Sequence, residues 1–186
     1  MTPAPLVLPG LVAGRYAFDT THSEVSFTVR HLMVSKVRGI FGTFDGEIVV
    51  AENPLDSVVT ATVDMSSIDT REENRDNHLR SSDFFSIDQH PQMTFRSTSL
   101  RPAGDDFVLA GELSIKGTTK PVEFALEYNG AGSDPWGGTR AGFSAKTDIS
   151  RKEFGVDLEM PLEGGGVVVG DKINILLEIE AVLQEG

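Results

Sequence analysis

The sequence predicts an all-β protein, an eight-stranded antiparallel barrel with one short helix, and three features support this. Apolar and polar residues alternate through most of the 186 residues, most regularly over 23–31, and side chains of a β-strand point alternately to the two faces of a sheet. Glycine and proline divide the alternating segments, and only one segment has helical character. These features favour a sandwich or a barrel. An eight-stranded up-and-down barrel has no exposed edges and is just wide enough for one elongated ligand.

The first half of the chain is predicted to contribute three strands in four segments, preceded by a flexible arm over residues 1–14. The first strand begins at 16–19 and continues after a bend at 23–31, and the other two segments lie at 37–50 and 57–65. Phe41 and Phe44 have opposite parity within the third segment, so we expect a β-bulge near Gly42. Asn53-Pro54 marks the turn that follows this segment.

A short surface helix is predicted over residues 71–81. Thr70 and Glu73 have the spacing of a capping box, in which two side chains three residues apart satisfy free N–H groups at the start of a helix. The segment lacks a period-two alternation and is rich in polar residues that suit a helix. Leu79 is its apolar anchor, and we expect the helix to end at residues 81–83.

The second half of the chain is predicted to contribute five strands. They lie at 92–100, 106–116, 121–129, 139–149 and 171–183. A hairpin turn at residues 103–105 joins the first two, and an irregular stretch at 151–166 precedes the last. The composition does not shift along the chain, so residues 15–186 are predicted to form a single domain.

Charge and residue usage disfavour several classes of function. The net charge is −12 and the isoelectric point is about 4.7, which disfavours binding to nucleic acids and to anionic membranes. We therefore expect no nucleic-acid partner and no stable membrane insertion. Since the chain has no cysteine, thiol catalysis, disulfides and cysteine-based zinc sites are excluded. The first residues lack the regions of a secretory signal, so we expect a cytoplasmic protein, or a periplasmic or secreted one if a signal has already been removed.

No arrangement of residues in the sequence is typical of a catalytic or metal site, and we expect no enzyme activity, metal or cofactor. The four histidines have none of the HxH, HxxxH or HExxH spacings, and no GxSxG elbow marks a serine nucleophile. The glycines at 164–166 lack the pattern of a phosphate-binding loop. His31 continues the apolar parity of its strand, so it is predicted to point inward, as a hydrogen-bonded core residue rather than a catalyst.

The apolar face of the predicted sheet is the remaining candidate for a function. Phenylalanine is frequent at strand-interior positions such as Phe27, Phe95 and Phe143, which a packed core would explain. Small residues such as Ala61 and Ala145 have the same parity. They would either fit the taper of a packed barrel or leave an elongated void inside it.

An ordered set of short motifs runs along residues 15–183. The motifs are Asp19-x-x-His22-Ser23-x-Val25-x-Phe27-x-Val29-x-His31, Gly39-x-Phe41, Ser67-Ile68-Asp69-Thr70, Asn77-His78-Leu79-Arg80-Ser81-x-Asp83-Phe84-Phe85, His90-Pro91-x-Met93-x-Phe95, Gly111-x-Leu113-x-Ile115-x-Gly117-x-Thr119-Lys120 and Arg151-x-x-Phe154-Gly155. Each motif alone is weak, but in this order and at these separations they resemble the YceI-like family. His90-Pro91 departs from the aromatic-proline step that is usual there.

The resemblance implies an extended antiparallel β-barrel, similar to lipocalins, whose apolar tunnel binds a polyisoprenoid lipid such as a quinone-like or other prenyl chain. It also implies that several relatives are periplasmic and enter by a signal peptide. The function predicted on this basis is non-catalytic binding, and carriage or storage, of such a lipid. Since each buried CH₂ contributes about 0.8 kcal/mol, the tail requires no hydrogen bond.

The residues predicted to line the tunnel share an apolar face or lie near its helical end. They are Val25, Phe27, Val29, His31, Phe41, Phe84, Phe85, Phe95, Leu109, Leu113, Phe124, Phe143 and Phe154. His31, Asn77 or Arg80 would meet a polar head group.

Two other functions are compatible with the sequence. The protein would be an enzyme or redox helper if His31 acted on an isoprenoid head group. It would be a stress-related scaffold if its core were solid. A homodimer that pairs through apolar surface residues such as Leu176 and Val182 is also possible from the sequence.

Overall fold

A computed structural model describes residues 6–32, 34–157 and 169–185. The strands in this part of the chain are β1 (Gly14–Phe18), β2 (Glu24–His31), β3 (Ser35–Phe41), β4 (Phe44–Val50), β5 (Val58–Asp64), β6 (Ile68–Asp69), β7 (Gln92–Ala103), β8 (Asp106–Ile115), β9 (Thr118–Ser133), β10 (Thr139–Ser150) and β11 (Val169–Leu183). The α-helix is α1 (Glu73–Arg80), and short 3₁₀ helices lie at Pro54–Asp56, Met65–Ser67 and Arg151–Phe154.

The strands form a closed antiparallel barrel of eight strands with one helix, which confirms the predicted fold class. The order around the ring is β1-β4-β5-β7-β8-β9-β10-β11, and β11 pairs back with β1, for example through Tyr16 opposite Leu183. β2, β3 and β6 continue β1, β4 and β5 beyond this ring. There β2 pairs with the first part of β11, and β3 lies between β2 and β6.

The barrel has two ends that differ in construction. The upper end carries the β4–β5, β7–β8 and β9–β10 connections together with residues 6–13. The lower end carries the β2–β3 turn, α1 and the 3₁₀ helix Arg151–Phe154. The apolar side chains of the strands point into the space between these ends, so any internal site lies between them.

The strand predicted at 37–50 is interrupted rather than bulged. β3 ends at Phe41 and β4 begins at Phe44, while the N–H of Gly42 donates to the carbonyl of Ser67 at 3.2 Å. The interruption shifts the parity of the chain, and both phenylalanines are therefore buried.

The helix lies within the predicted range, but its predicted capping box is wrong. The N-cap is Glu72, whose carboxylate accepts from the N–H groups of Asn74 and Arg75. Thr70 instead donates from its N–H and its hydroxyl to the buried carboxylate of Asp76, at 3.0 and 2.5 Å to Oδ1. A buried carboxylate that needs donors competes for the threonine more strongly than the free N–H groups of the helix do.

Several strands of the second half are longer than their sequence pattern indicated. β7 extends to Ala103 because a register shift between Ser97 and Ser99 interrupts its alternation without ending the strand. β9 continues through a glycine-rich segment to Ser133. The irregular stretch predicted at 151–166 begins with the 3₁₀ helix, and its part after residue 157 lies outside the described residues.

Candidate ligand cavity

The described residues of the barrel line two apolar cavities in its interior, one above the other. The upper cavity has a volume of about 150 Å³ and is lined mainly by strands of the closed ring. The lower cavity has a volume of about 100 Å³. It is lined by β2, β3 and β6, by single positions of β7, β8 and β10, by the first part of β11, and by α1, the segment after α1 and the 3₁₀ helices Met65–Ser67 and Arg151–Phe154. Met93 and Ile175 belong to both linings. The two cavities therefore adjoin near the middle of the barrel.

Three phenylalanine rings lie close against the backbone of the barrel wall, at glycines. A Cβ atom placed on Gly46 would lie 2.2 Å from the ring of Phe18, and one on Gly39 would lie 2.3 Å from the ring of Phe27. Phe95 covers Gly111 in the same way. Because glycine lets each ring approach the wall, less of the ring volume projects into the lumen. This arrangement explains how a phenylalanine-rich interior still contains cavities.

The mouth of the upper cavity is covered by residues 6–13, which precede β1. Leu8 and Leu11 line this cavity, and the N–H of Leu11 donates to the carbonyl of Leu8 across a turn at Pro9-Gly10. The phenol of Tyr128 donates to the carbonyl of Pro9 at 2.6 Å.

A second phenol fixes the end of this segment. Tyr16, which is fully buried, donates from its hydroxyl to the carbonyl of Val12 at 2.9 Å. Burial raises the pKa of both Tyr16 and Tyr128 above the ordinary value. Both phenols therefore stay protonated as donors at neutral pH, and the segment is held over the cavity by hydrogen bonds as well as by apolar contact.

The floor of the lower cavity depends on a buried arginine. Arg151 is only 5% exposed, and its guanidinium donates to three backbone carbonyls, those of Val156 at 2.8 Å and of Val169 and Gly170 at 3.0 Å. It thereby joins the 3₁₀ helix to the start of β11. The same motif that supported the family resemblance, Arg151-x-x-Phe154-Gly155, places Phe154 in the lining of this cavity.

Twelve of the thirteen residues predicted to line the tunnel lie on the wall of one of the two cavities. The upper cavity contacts Val25, Phe95, Leu109, Leu113, Phe124 and Phe143. The lower cavity contacts Phe27, Val29, Phe41, Phe84, Phe85 and Phe154. Their part in binding a ligand stays a prediction.

His31 is the exception, and its predicted inward position stays a prediction. It ends β2 opposite Ser35 and Val169 and belongs to neither cavity lining. Val169, which is paired with it, does line the lower cavity, so the wall of that cavity continues beside the end of β2.

The two other residues predicted near a head group have structural contacts. The guanidinium of Arg80 donates to the carbonyls of Ser66 and Ile68 and to Oδ1 of Asn77. These bonds attach the end of α1 to the segment that contains β6. Neither Asn77 nor Arg80 belongs to the lining of the upper or the lower cavity.

Two groups of lining residues were not predicted from the sequence. Ile175, Leu177 and Ile179 of the last strand line the upper cavity, and their regular alternation was a sufficient signal. Leu8 and Leu11 were missed because residues 1–14 were predicted to form a flexible arm. The turn at Pro9-Gly10 brings both leucines into the lining.

A charged cluster lies outside the barrel near its upper end. The ligand atoms of Asp19, His22 and Glu180 lie within 4.8 Å of one another. The guanidinium of Arg140 already lies among them, 2.6 Å from Asp19 Oδ2 and 3.1 Å from Glu180 Oε2, and it also pairs with Asp134 at 2.8 Å. Hydrogen bonds from Thr21, Arg140 and His22 hold the pKa of Asp19 well below its usual range. Since a cationic side chain already neutralises these carboxylates, the cluster is a structural tie between β1, β11 and the β9–β10 connection.

The fold and the cavities define the class of protein: a lipocalin-like β-barrel with an apolar lumen. None of the helices in the described ranges has both the length and the apolar character needed to cross a bilayer.

The chain belongs to the YceI-like family, because the family's YceI-like domain matches residues 16–181. Among its relatives, Protein YceI of Escherichia coli O17:K52:H18 is 37% identical over 177 residues, which cover 94% of this chain and 90% of the relative. The UPF0312 protein ECA1782 of Pectobacterium atrosepticum is also 37% identical over 177 residues, covering 94% and 89%.

Solved structures share the fold. BcnA of Burkholderia cenocepacia superposes with a TM-score of 0.77 at 22% identity, covering 88% of this chain and 98% of BcnA. The YCEI protein of Campylobacter jejuni gives 0.71 at 27% identity, covering 84% and 90%. A polyisoprenoid binding domain from Saccharophagus degradans, implicated in plant cell wall breakdown, gives 0.69 at 13% identity, covering 91% and 98%.

Proposed function

We propose that this protein is a non-catalytic carrier or store of a polyisoprenoid lipid, such as a quinone-like or prenyl chain, which it binds inside the barrel. The observation that carries the proposal is the pair of adjoining cavities with an almost wholly apolar lining. A related barrel, from Saccharophagus degradans, is described as a polyisoprenoid binding domain.

The volumes favour a ligand that occupies both cavities. Neither the upper cavity of about 150 Å³ nor the lower one of about 100 Å³ reaches the roughly 300 Å³ at which pockets for drug-sized ligands begin. An isoprenoid tail is narrow and flexible, so it would extend from one cavity into the other past Met93 and Ile175. Methionine is unbranched and adapts its shape easily, which suits a residue beside such a passage.

Apolar burial alone supplies enough free energy for binding. Five carbons of an isoprene unit would contribute up to roughly 4 kcal/mol at about 0.8 kcal/mol for each buried CH₂. Ordering a flexible tail opposes much of this gain, so a few well-packed units are enough for a tight complex. Selectivity would then depend on the length and width of the lumen rather than on hydrogen bonds to the tail.

The charged residues in the described linings favour binding over catalysis. They are Asp45 and Arg151. Asp45 is exposed and accepts from the N–H of Gly46, while Arg151 donates to backbone carbonyls. A general acid or base would have to reach a reacting group, and His31 lies outside both cavities. No observation therefore favours the enzyme or redox helper, and the cavities disfavour a scaffold with a solid core.

Organic extraction of the purified full chain, followed by mass spectrometry, tests the proposal. We expect a prenyl species at close to one molecule per chain. The proposal is wrong if the protein carries no extractable lipid and does not bind an added polyprenyl alcohol.

Variants that fill the lumen make the test specific. Ala61→Phe should obstruct the upper cavity and Val29→Phe the lower one, because both residues line those walls. Each should lower the lipid content severalfold. Thr60→Phe is the matched control, since Thr60 is the exposed neighbour of Ala61, and it should retain the lipid. Equal lipid content in all three folded variants would contradict the placement of the ligand.

A further inference from the structure

The β2–β3 hairpin ends in exposed apolar side chains at the lower end of the barrel. Val34 is 85% exposed and Leu32 is 39% exposed. The turn is closed by a hydrogen bond of 3.2 Å from the N–H of Val34 to the carbonyl of His31. Leu32 has a φ of 54°, a conformation that glycine or asparagine adopts with less strain. A bulky apolar residue thus occupies a position where the backbone favours a small or polar one.

Two unpaired basic side chains lie directly behind this tip. Arg30 and Lys36 are opposite each other in the β2–β3 ladder, and both are exposed. Like charges in opposite positions of a ladder repel each other, and in the described part of the chain neither residue has an ion-pair partner. Arg38 lies two residues after Lys36 in β3, and it does form an ion pair with Glu24, at 2.7 Å. The hairpin therefore neutralises its charges except next to the apolar tip.

The outer edge of the hairpin is only partly paired. In the described ranges only Ile40 and Phe41 of β3 pair with β6, so residues 35–39 are hydrogen-bonded to β2 alone. β2 itself is paired with β11 as far as His31, opposite Val169, and it contributes Phe27 and Val29 to the lower cavity. The tip is thus continuous with the wall of that cavity.

We propose that the tip of the β2–β3 hairpin, through Leu32 and Val34 with Arg30 and Lys36 behind them, docks reversibly on the surface of an anionic phospholipid bilayer. A lipid phosphate between Arg30 and Lys36 relieves their repulsion, while the two apolar side chains enter the interface. This goes beyond the proposed function and does not depend on what fills the cavities.

Local charge decides which end of the barrel docks. The net charge of −12 opposes approach to an anionic surface, but charges further away than about 8 Å are largely screened at physiological ionic strength. At the upper end, Trp136 is 80% exposed and Val7 is 75% exposed. Trp136 lies beside Arg140, which is surrounded by the carboxylates of Asp19, Asp134 and Glu180. Excess negative charge there disfavours docking by the upper end.

Sedimentation of the full chain with vesicles tests this proposal. The chain should bind vesicles of phosphatidylcholine mixed with phosphatidylglycerol, bind pure phosphatidylcholine vesicles much less, and dissociate as salt is raised. Arg30→Ser and Lys36→Ser should each weaken binding about fivefold, and Leu32→Ser/Val34→Ser should abolish it. Lys146→Ser, at an exposed position on the barrel wall, and Trp136→Ser are the matched controls and should bind as the parent does. Equal binding of the hairpin variants and the controls overturns the proposal, as does a parent chain that does not bind.

Tryptophan fluorescence gives a second test, in which the chains compared are expected to bind the vesicles. Trp136 is the only tryptophan, so its emission should not shift when vesicles are added. In a Trp136→Phe/Val34→Trp chain, the new tryptophan should shift to shorter wavelength with mixed vesicles. A shift at Trp136 instead would assign docking to the upper end. Concentration-dependent dimerisation that the hairpin substitutions abolish, without vesicle binding, would assign the tip to a second copy of the chain. Either result overturns the proposal, whereas the lipid content of the lumen tests the proposed function separately.

Discussion

The upper and lower halves of the barrel enclose neighbouring cavities by different means. Around the upper cavity the wall is a continuous ring, because β11 pairs with β1 and β1 with β4. Below it the ring opens: β3 and β6 share only two paired positions, and α1, the segment after it and the 3₁₀ helix Arg151–Phe154 form part of the wall in the described ranges. Backbone ladders therefore hold the upper wall, while side chains hold much of the lower one.

This difference has an energetic consequence. A ladder distributes its free energy over many backbone hydrogen bonds, none of which depends on residue identity. An enclosure held by side chains concentrates free energy in a few groups, above all Arg151 and the Arg80 contacts of α1. Single substitutions should therefore disturb the lower half more than the upper half.

The strongest test of this comparison is Arg151→Ala. The change leaves the carbonyls of Val156, Val169 and Gly170 without the donor that joins them, and hydrogen bonds from a charged group are worth about 1.5–3 kcal/mol each. We expect the free energy of unfolding to fall by about 3 kcal/mol or more in urea denaturation. Arg101→Ala is the control, because its exposed ion pair with Glu123 should contribute less than about 1 kcal/mol. Similar losses in both variants would mean that Arg151 does not support the lower half.

Glycines that face phenylalanine rings allow the two cavities to be changed one at a time. A methyl group on Gly46 forces the ring of Phe18 away from the wall of the upper cavity, and one on Gly39 forces Phe27 toward the lower cavity. Gly46→Ala and Gly39→Ala should each lower the free energy of unfolding by about 1–3 kcal/mol. Each should also reduce xenon occupancy in its own cavity, measured by crystallography under xenon pressure.

Gly42→Ala is the matched control for these two substitutions, since a Cβ atom there would meet nothing within 4 Å. It should change the free energy of unfolding by less than about 0.5 kcal/mol. Xenon loss from both cavities in either single variant would show that the cavities are one continuous space that responds as a unit.

The fold could be predicted from the sequence because the strands alternate strongly, and alternation depends only on local residue order. The cavity walls followed from the same parity, which placed Phe95 and Phe124 correctly. His31 has the same parity, but it belongs to neither cavity lining, and its inward position stays a prediction. Parity gave no signal for Leu8 and Leu11, whose position depends on a contact with Tyr128 more than a hundred residues away in the sequence. Thr70 was assigned to the wrong partner because the buried carboxylate of Asp76 became visible only in three dimensions.

Tyr128→Phe is a milder test, directed at the cover of the upper cavity. It removes the 2.6 Å hydrogen bond to the carbonyl of Pro9 and keeps the ring, so the loss should be about 1 kcal/mol. Amide hydrogen exchange should quicken in residues 6–13 and stay unchanged in α1. Faster exchange in both regions would mean that the two ends of the barrel open together, which contradicts the division into separately held halves.

The smallest effect is expected at the charged cluster beside the upper end, and its sign follows from the direction of the pKa shift. Thr21, Arg140 and His22 hold the pKa of Asp19 well below its usual range in the folded chain, whereas in the unfolded chain it is about 3.9. The charge of the Asp19 carboxylate therefore makes its full contribution to stability above about pH 4, and this contribution is lost as the pH falls further.

The difference in unfolding free energy between the parent and Asp19→Asn should be constant from about pH 7 to pH 5 and should shrink toward pH 3. In an Arg140→Gln background the same comparison should depend less on pH, because one of the groups that lowers the pKa is gone. A difference that does not change with pH would show that Asp19 contributes by its shape and hydrogen bonds rather than by its charge.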